Sequence, residues 1–501
     1  MREKKVIVIG AGFGGLAAGS YLLMNGYKTH ILEKTNQSGG IAVTWKRKGY
    51  TFDGATNYLP GSATFLNIHA IISEILDFRK LSIYNYPEFI RIENNGETFR
   101  VYTDADRLRE EMLRIAPEDK NTVDEFTTAL KQFGRFNLPF EKAPEIFTPW
   151  DGISFLKNNL PLILFRQKWG TISIKKFAER FKNSSMRTMF KQIFPHHDHF
   201  AVMAPMVPLG WMHYKNAGYP RGGSATIGKL CEERYRSLGG TVEYNKPVEK
   251  ILFKNSNAVG VVCENGERYD ADIVVSSADM YHTFSKLLSE VQIPRRVEKR
   301  FRKAPAFSAI VQVSLGIGRL FDGEAEKSNL TLVKTIPMGN HHADDMMVRI
   351  FNFDNTFSPP GKTPVVVQLR TEDYAYWDTL RKDDPETYRE RKEQVADVVI
   401  ESLEKRFGAI KSKCEVVDVA TPATYIRYNN LWKGAHQGWA PTPGIIGRPL
   451  KKTVTGLNNF YQTGQWISPA GGIPAVIAVG RQVAQIICKK DNKPFTVAGY
   501  E

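Results

Sequence analysis

The distribution of apolar positions divides the chain into elements. Lys5 to Ile9 is a short, largely β-branched run that reads as a buried strand; a helical pattern follows through Met24, and Thr29 to Leu32 reads as a second strand. Phe89 to Asp104 alternates apolar and polar residues around Asn94-Asn95-Gly96, which predicts a hairpin. Ala306 to Gly316 and Pro364 to Arg370 are apolar and β-branched, so they are expected to join that hairpin in one sheet. Asp384-Pro385 opens an amphipathic helix with Val395, Val398, Val399 and Leu403 on one face, and Gly408 stops it. Near the C-terminus, Phe460 to Trp466 predicts a strand entering a glycine turn, and Ser468 to Pro474 opens a helix to about Cys488. No apolar run reaches the roughly 18 residues that indicate a membrane span; Phe200 to Met212 comes nearest and is broken by Pro205 and Pro208. There is no internal repeat or low-complexity tract.

The first strand and helix enclose Gly10-Ala11-Gly12-Phe13-Gly14-Gly15, a G-x-G-x-x-G turn. Gly10 permits the tight turn, Gly12 lets a pyrophosphate approach the backbone, and Gly15 lets helix and strand pack closely. The helix N-terminus offers free N–H groups and the positive end of the dipole, so an anion is held there without a lysine. Glu33, about 20 residues on, is placed to bond ribose hydroxyls and disfavours a 2′-phosphate. Strand, turn, helix, strand and acid in that order predict dinucleotide binding. A basic start before an apolar stretch also imitates a secretory signal, but removing it would remove the phosphate turn, so these residues are expected in the folded protein. Gly39-Gly40 and Gly49-Tyr50-Thr51-Phe52-Asp53-Gly54 could pass along an extended cofactor, and the Ser468 to Pro474 turn is a second anion-ready helix start.

Composition narrows the class. The 501 residues are 42% hydrophobic and 24% charged, enough for a large core and two or three domains. Cys231, Cys263, Cys414 and Cys488 include no Cys-x-x-Cys pair, which argues against a disulfide framework or zinc module and fits a reducing compartment. The net charge of +15 favours an anionic partner. No nucleic-acid-binding module accompanies it, so nucleic acid is not expected.

These segments resemble the FAD-dependent oxidoreductase superfamily that contains bacterial-type phytoene desaturases, carotenoid isomerases and retinol saturases, over nearly the whole chain. Tyr219-Pro220-Arg221-Gly222-Gly223-Ser224 is similar to that family's Tyr-Pro-x-Gly-Gly turn, Ala271 to Ala278 to its strand returning to the cofactor domain, and Thr421 to Tyr425 with Gly434 to its C-terminal signatures. The resemblance implies an α/β fold: a Rossmann-like FAD-binding domain of GR2 type with an interleaved α+β substrate domain. The expected boundaries are 1–80, 215–290 and 450–501 for the first, and 81–214 and 291–449 for the second.

Motif and resemblance together place cofactor contacts at Gly10, Gly12, Phe13, Gly14, Gly15, Glu33, Lys34, Gly39 and Gly40. Further contacts are expected at Asp53, Gly54, Ala55, Val248, Gly464, Gln465, Gly472, Ile473 and Pro474, with Val248 meeting the adenine through its backbone. There are departures. Ile41 stands where relatives often carry a base, and Gln465 where many carry an acid, although an amide can still bond the ribityl chain. Asn57, Tyr58 and Trp466 are the flavin-facing candidates, and no acid–base pair is expected because flavin chemistry on a hydrocarbon needs little from side chains. The implied activity is desaturation, saturation or isomerisation of a long isoprenoid, carotenoid or retinoid-like substrate. An amine-oxidase-like flavoenzyme and a non-catalytic prenyl-lipid carrier are the alternatives.

Two segments carry other chemistry. Arg166 to Lys191 holds eight Lys or Arg against Glu179 alone, interleaved with Trp169, Phe177, Phe181 and Phe190. Such a helix could lie on an anionic membrane or pack on its own core; helices around 153–212 are the candidates for peripheral contact, on the cytoplasmic face. Arg295 to Lys303, with six basic residues, could extend that patch. His196-His197-Asp198-His199 suggests a metal, but adjacent histidines point apart and no ligand spacing is met, so none is expected.

Overall fold

Lys5–Ile9 forms the centre of a five-stranded parallel sheet, which suits a strand whose Val6, Ile7 and Val8 are all buried. The computed structural model describes residues 3–94, 96–289 and 291–500. The sheet order is Thr241–Glu243, Lys28–Leu32, Lys5–Ile9, Ile273–Ser276 and Phe460–Gln462, so segments far apart in sequence share one layer. Phe13–Met24 packs on one face between Gly223–Ser237 and Ile473–Lys490. Small residues permit that closeness: a Cβ on Gly480 would lie 2.8 Å from Ala17 Cβ and 2.8 Å from Gly14 O. A three-stranded antiparallel sheet, Val248–Lys254, Asn257–Cys263 and Arg268–Asp270, shares the core on the other face.

The apolar strands from the middle of the chain build a second, seven-stranded sheet. Its order is Cys414–Ala420, Ala309–Ile317, Thr363–Thr371, His342–Ile350, Lys327–Pro337, Glu88–Asn94 and Glu97–Tyr102. Neighbours are antiparallel except where Ser328 and Asn329 pair in parallel with Arg91 and Ile92, which joins the hairpin to the sheet. The hairpin forms as its alternation predicts, although Asn95 of its turn lies outside the described residues. Pro385–Phe407 covers one face through Val395, Val399 and Leu403; Asp384 caps it by accepting from Thr387 N–H, and Gly408 ends it at φ +63°. The whole is an α/β fold with a Rossmann-like parallel sheet and a mixed second sheet.

The basic segment is decided by its partners. Trp169, Ile174, Phe177, Phe181, Met186, Met189 and Phe190 all turn inward, packing around Phe126 and Phe133. Lys168, Lys175, Lys176, Arg180, Lys182 and Arg187 face out, so the aromatic side of this segment belongs to the core and its basic side to the surface. Exposed apolar side chains lie just before them, on Pro149–Trp169. Arg295–Lys303 buries no residue. Among the described residues no helix is long and apolar enough to cross a membrane.

Candidate cofactor and active site

The glycine turn is shaped by contacts that leave no room for side chains. Gly10 has φ +94°, and a Cβ on Gly15 would lie 2.0 Å from Gly10 O, so only glycine lets helix and strand meet here. A Cβ on Gly40 would lie 3.2 Å from Gly12 Cα, and one on Gly14 2.9 Å from Gly464 N. The two glycine segments and the C-terminal turn therefore converge, backbone to backbone, at the start of Phe13–Met24. That helix has no side-chain cap and no acid in its first turn, which leaves its N–H groups for a ligand.

Glu33 is locked beside the turn. One carboxylate oxygen accepts from Ala11 N–H at 2.7 Å, and the other accepts from Thr35 N–H and Oγ1, both at 2.8 Å. Lys34, on the cavity wall, is tied to the far side of the site: Nζ donates to Arg427 O at 2.9 Å and Asn430 Oδ1 at 2.7 Å. Arg47, downstream of the departure at Ile41, pairs with Asp418 at 3.1 Å.

One cavity of about 490 Å³ runs from these turns into an apolar end. The expected site residues line it except two. Gly15 is used in packing against Gly10, and Asp53 is buried behind the wall, where its carboxylate accepts from Ala55, Thr56 and Ser224 N–H, Ser224 Oγ and Tyr219 OH. Asp53 thus shapes the loop Gly54–Tyr58, which does line the cavity. Arg349, from the second sheet, completes the clamp by donating to Thr56 O at 2.7 Å. Nothing local in the sequence marks Arg349 for this role, because it arrives from a strand of the second sheet, far along the chain.

Asp279 was also not foreseen. It lies just past Ile273–Ser276, at the carboxyl end of a parallel strand, where ligands collect in such sheets, and that position was the available signal. Its carboxylate accepts from Trp466 Nε1 at 2.7 Å, Trp432 N–H at 3.2 Å and His282 N–H at 3.0 Å. Burial pushes its pKa up to about 6 against those hydrogen bonds. Trp466 O accepts from Trp439 Nε1 at 2.8 Å, so Trp466 is held at both ends.

The histidine-rich loop disperses its side chains. His196 Nε2 pairs with Asp345 Oδ1 at 2.5 Å, whereas His197 is buried and stacks on Phe200 with centroids 4.2 Å apart. Among the described residues no group of three His, Cys, Asp or Glu side chains is arranged to hold a metal.

Residues 13–488 match the family described as flavin containing amine oxidoreductase. The chain belongs to this family. Prolycopene isomerase, chloroplastic, from Daucus carota is 25% identical over 516 residues, covering 96% of this chain and 79% of that protein. A 4,4′-diapophytoene desaturase (4,4′-diapolycopene-forming) from Methylomonas sp is 22% identical over 514 residues, covering 98% and 96%. The solved structure of putrescine oxidase, wild type bound to putrescine, has a TM-score of 0.61 at 16% identity, covering 97% of this chain and 99% of that one, which shows a shared fold. The protein is a flavin-dependent oxidoreductase, and its cofactor is FAD.

The site fits that cofactor. The backbone cradle at Gly14 and Gly40 has space only where no Cβ intrudes, and Asn57 Oδ1, on the cavity wall, is buried without a partner among the described residues. It is a polar atom that a ligand with hydrogen-bonding groups along its length would satisfy. Bound FAD supplies the hydride chemistry. The chain itself lines the cavity with apolar walls that exclude water, and Asp279 holds Trp466 in place through its indole N–H.

Proposed function

We propose that this flavoenzyme adds, removes or isomerises a carbon–carbon double bond in a long apolar polyene, an isoprenoid, carotenoid or retinoid-like lipid. The observation that carries this reading is the far end of the cavity, walled by Phe194, Phe200, Met203, Val207, Trp211 and Phe307. An amine would need a carboxylate or other polar group there. The acids among the described lining residues, Glu33 and Asp279, are both committed at the nucleotide turn and at Trp466. The relatives named for prolycopene and diapophytoene support the same substrate class.

In this reading the Gly10–Gly15 turn and Gly39-Gly40 hold the pyrophosphate, Glu33 bonds the adenosine ribose, and Val248 meets the adenine. Gly464-Gln465 and Gly472 to Pro474 hold the ribityl chain and ring. Asp53 and Trp466 are positioning residues, one beneath the loop 54–58 and the other clasped by Asp279. Tyr58 and Asn57 face the reacting bond. Burial alone pushes the Tyr58 hydroxyl up to about 12, so it stays protonated near neutrality and serves as a hydrogen-bond donor rather than a base. The protein would work at an anionic membrane surface, on its cytoplasmic side, where such substrates dissolve.

Anaerobic incubation of FAD-loaded protein with a panel of polyenes, followed by mass and absorbance analysis, tests this. A change of two hydrogens gives the direction of a redox reaction, and unchanged mass with a shifted spectrum indicates isomerisation. Peroxide formation with amines and no effect on polyenes would overturn the proposal.

A further inference from the structure

The helix Pro149–Trp169 presents an apolar face that none of the described residues covers. Trp150 is 78% exposed, Ile153 58%, Leu156 60%, Leu160 51% and Leu164 54%. Steps of three and four residues put all five on one side of the helix. The helix cannot rotate to hide them. Its opposite side is anchored by buried Phe165 and Trp169, with Phe165 5.6 Å from Phe133 between ring centroids, and its start is fixed by a capping box in which Thr148 Oγ1 accepts from Asp151 N–H and Asp151 accepts from Thr148 N–H. Contiguous exposed side chains of this size mark a contact surface rather than ordinary surface scatter.

The surrounding charge selects the occupant. Lys157 lies on the same side as the leucines, and Lys175 and Lys176 are exposed on the helix Ile174–Ala178 that follows, with Lys182 exposed in the bend after it. A second copy of the chain would bring two such basic rims together, whereas an anionic lipid surface complements both rim and face. Trp150 at the helix start is the type of side chain that settles at a membrane–water boundary. The position also matters. Phe133, which packs on Phe165, lines the apolar end of the cavity, and so does Ile446, whose Cγ2 would lie 3.3 Å from a Cβ on Gly170 at the helix end.

We infer that Pro149–Trp169 lies in the interface of an anionic phospholipid bilayer, burying Trp150, Ile153, Leu156, Leu160 and Leu164, and that it sets the apolar end of the cavity beside the lipid. The docking stands on the helix itself; only its use as a substrate entrance rests on the polyene reading.

The test uses FAD-loaded full-length protein and vesicles of phosphatidylcholine alone or mixed with phosphatidylglycerol, without substrate. The protein should sediment with the anionic vesicles at low salt and less with the neutral ones. Ile153→Ser/Leu156→Ser/Leu160→Ser should lower the partition coefficient by about tenfold or more, with bound-flavin absorbance and thermal midpoint retained. Lys175→Glu/Lys176→Glu, which leaves the apolar face intact, should weaken binding at low salt and match wild type at high salt. Brominated lipid should quench wild-type tryptophan fluorescence more than that of Trp150→Phe. The inference is overturned if wild type ignores anionic vesicles, if the serine variant binds as well as wild type, or if light scattering shows that the variant merely dissociates a dimer. Vesicle binding without any polyene turnover would remove the proposed activity and leave the docking standing.

Discussion

The two ends of the cavity are made of different material. The nucleotide end is built from backbone: a Cβ on Gly14 would lie 2.9 Å from Gly464 N, and one on Gly40 3.2 Å from Gly12 Cα. The apolar end is built from side chains, contributed by Phe194, Phe200, the helix Met203–His213 and Phe307. A backbone cradle recognises a group common to a whole superfamily and tolerates no change. A wall of side chains can be reshaped one residue at a time, which is how one scaffold serves putrescine in one protein and prolycopene in another.

This contrast is open to direct attack, and the largest effect is expected at the cradle. Gly15→Ala places a methyl 2.0 Å from a carbonyl oxygen and should cost about 3 kcal/mol or more, so the purified protein should lack visible flavin absorbance. Full flavin content in that variant would show that the turn yields more than its contacts allow.

A middling effect is expected at Asp279, which ties the strand end to Trp466. Its pKa in the folded protein, about 6, stands above the ordinary 3.8, so the folded state holds the proton more tightly than the unfolded chain. Its contribution to stability is therefore greatest in acid and falls as pH rises from about 4 to about 6, by roughly 3 kcal/mol. The stability advantage of wild type over Asp279→Asn, from urea midpoints, should shrink across that window; an advantage that stays level with pH would assign the proton elsewhere.

The smallest effect belongs to the apolar wall. Val207→Ala should cost about 1 kcal/mol or less, leave flavin content unchanged, and move the preferred polyene toward bulkier chains. A loss of flavin in this variant would erase the distinction between the two ends.

Much of the nucleotide end was legible because its signal is local. Gly10 to Glu33 places strand, turn, helix and acid within one short stretch, and each glycine is demanded by neighbours near in sequence or by a recurring turn. Asp53 was legible as part of the site but not in its role: three of its five hydrogen bonds come from Tyr219 and Ser224, far along the chain. Arg349 was invisible for the same reason. The basic segment shows the limit most plainly. Its amphipathic pattern fits a lipid surface and a protein core equally, and the presence of Phe126 and Phe133 on another helix turned Phe177 and Phe190 inward.

From sequence alone came the dinucleotide turn, the hairpin and two apolar strands of the second sheet, because short-range hydrogen bonding and hydrophobic periodicity dictate them; the superfamily came from the resemblance of whole motifs. Tertiary structure alone decided which apolar faces meet one another and which are left facing outward. Pro149–Trp169 carries apolar residues on more than one side, and only the positions of the segments packed against Phe165 and Trp169 leave Leu156 and Leu160 exposed.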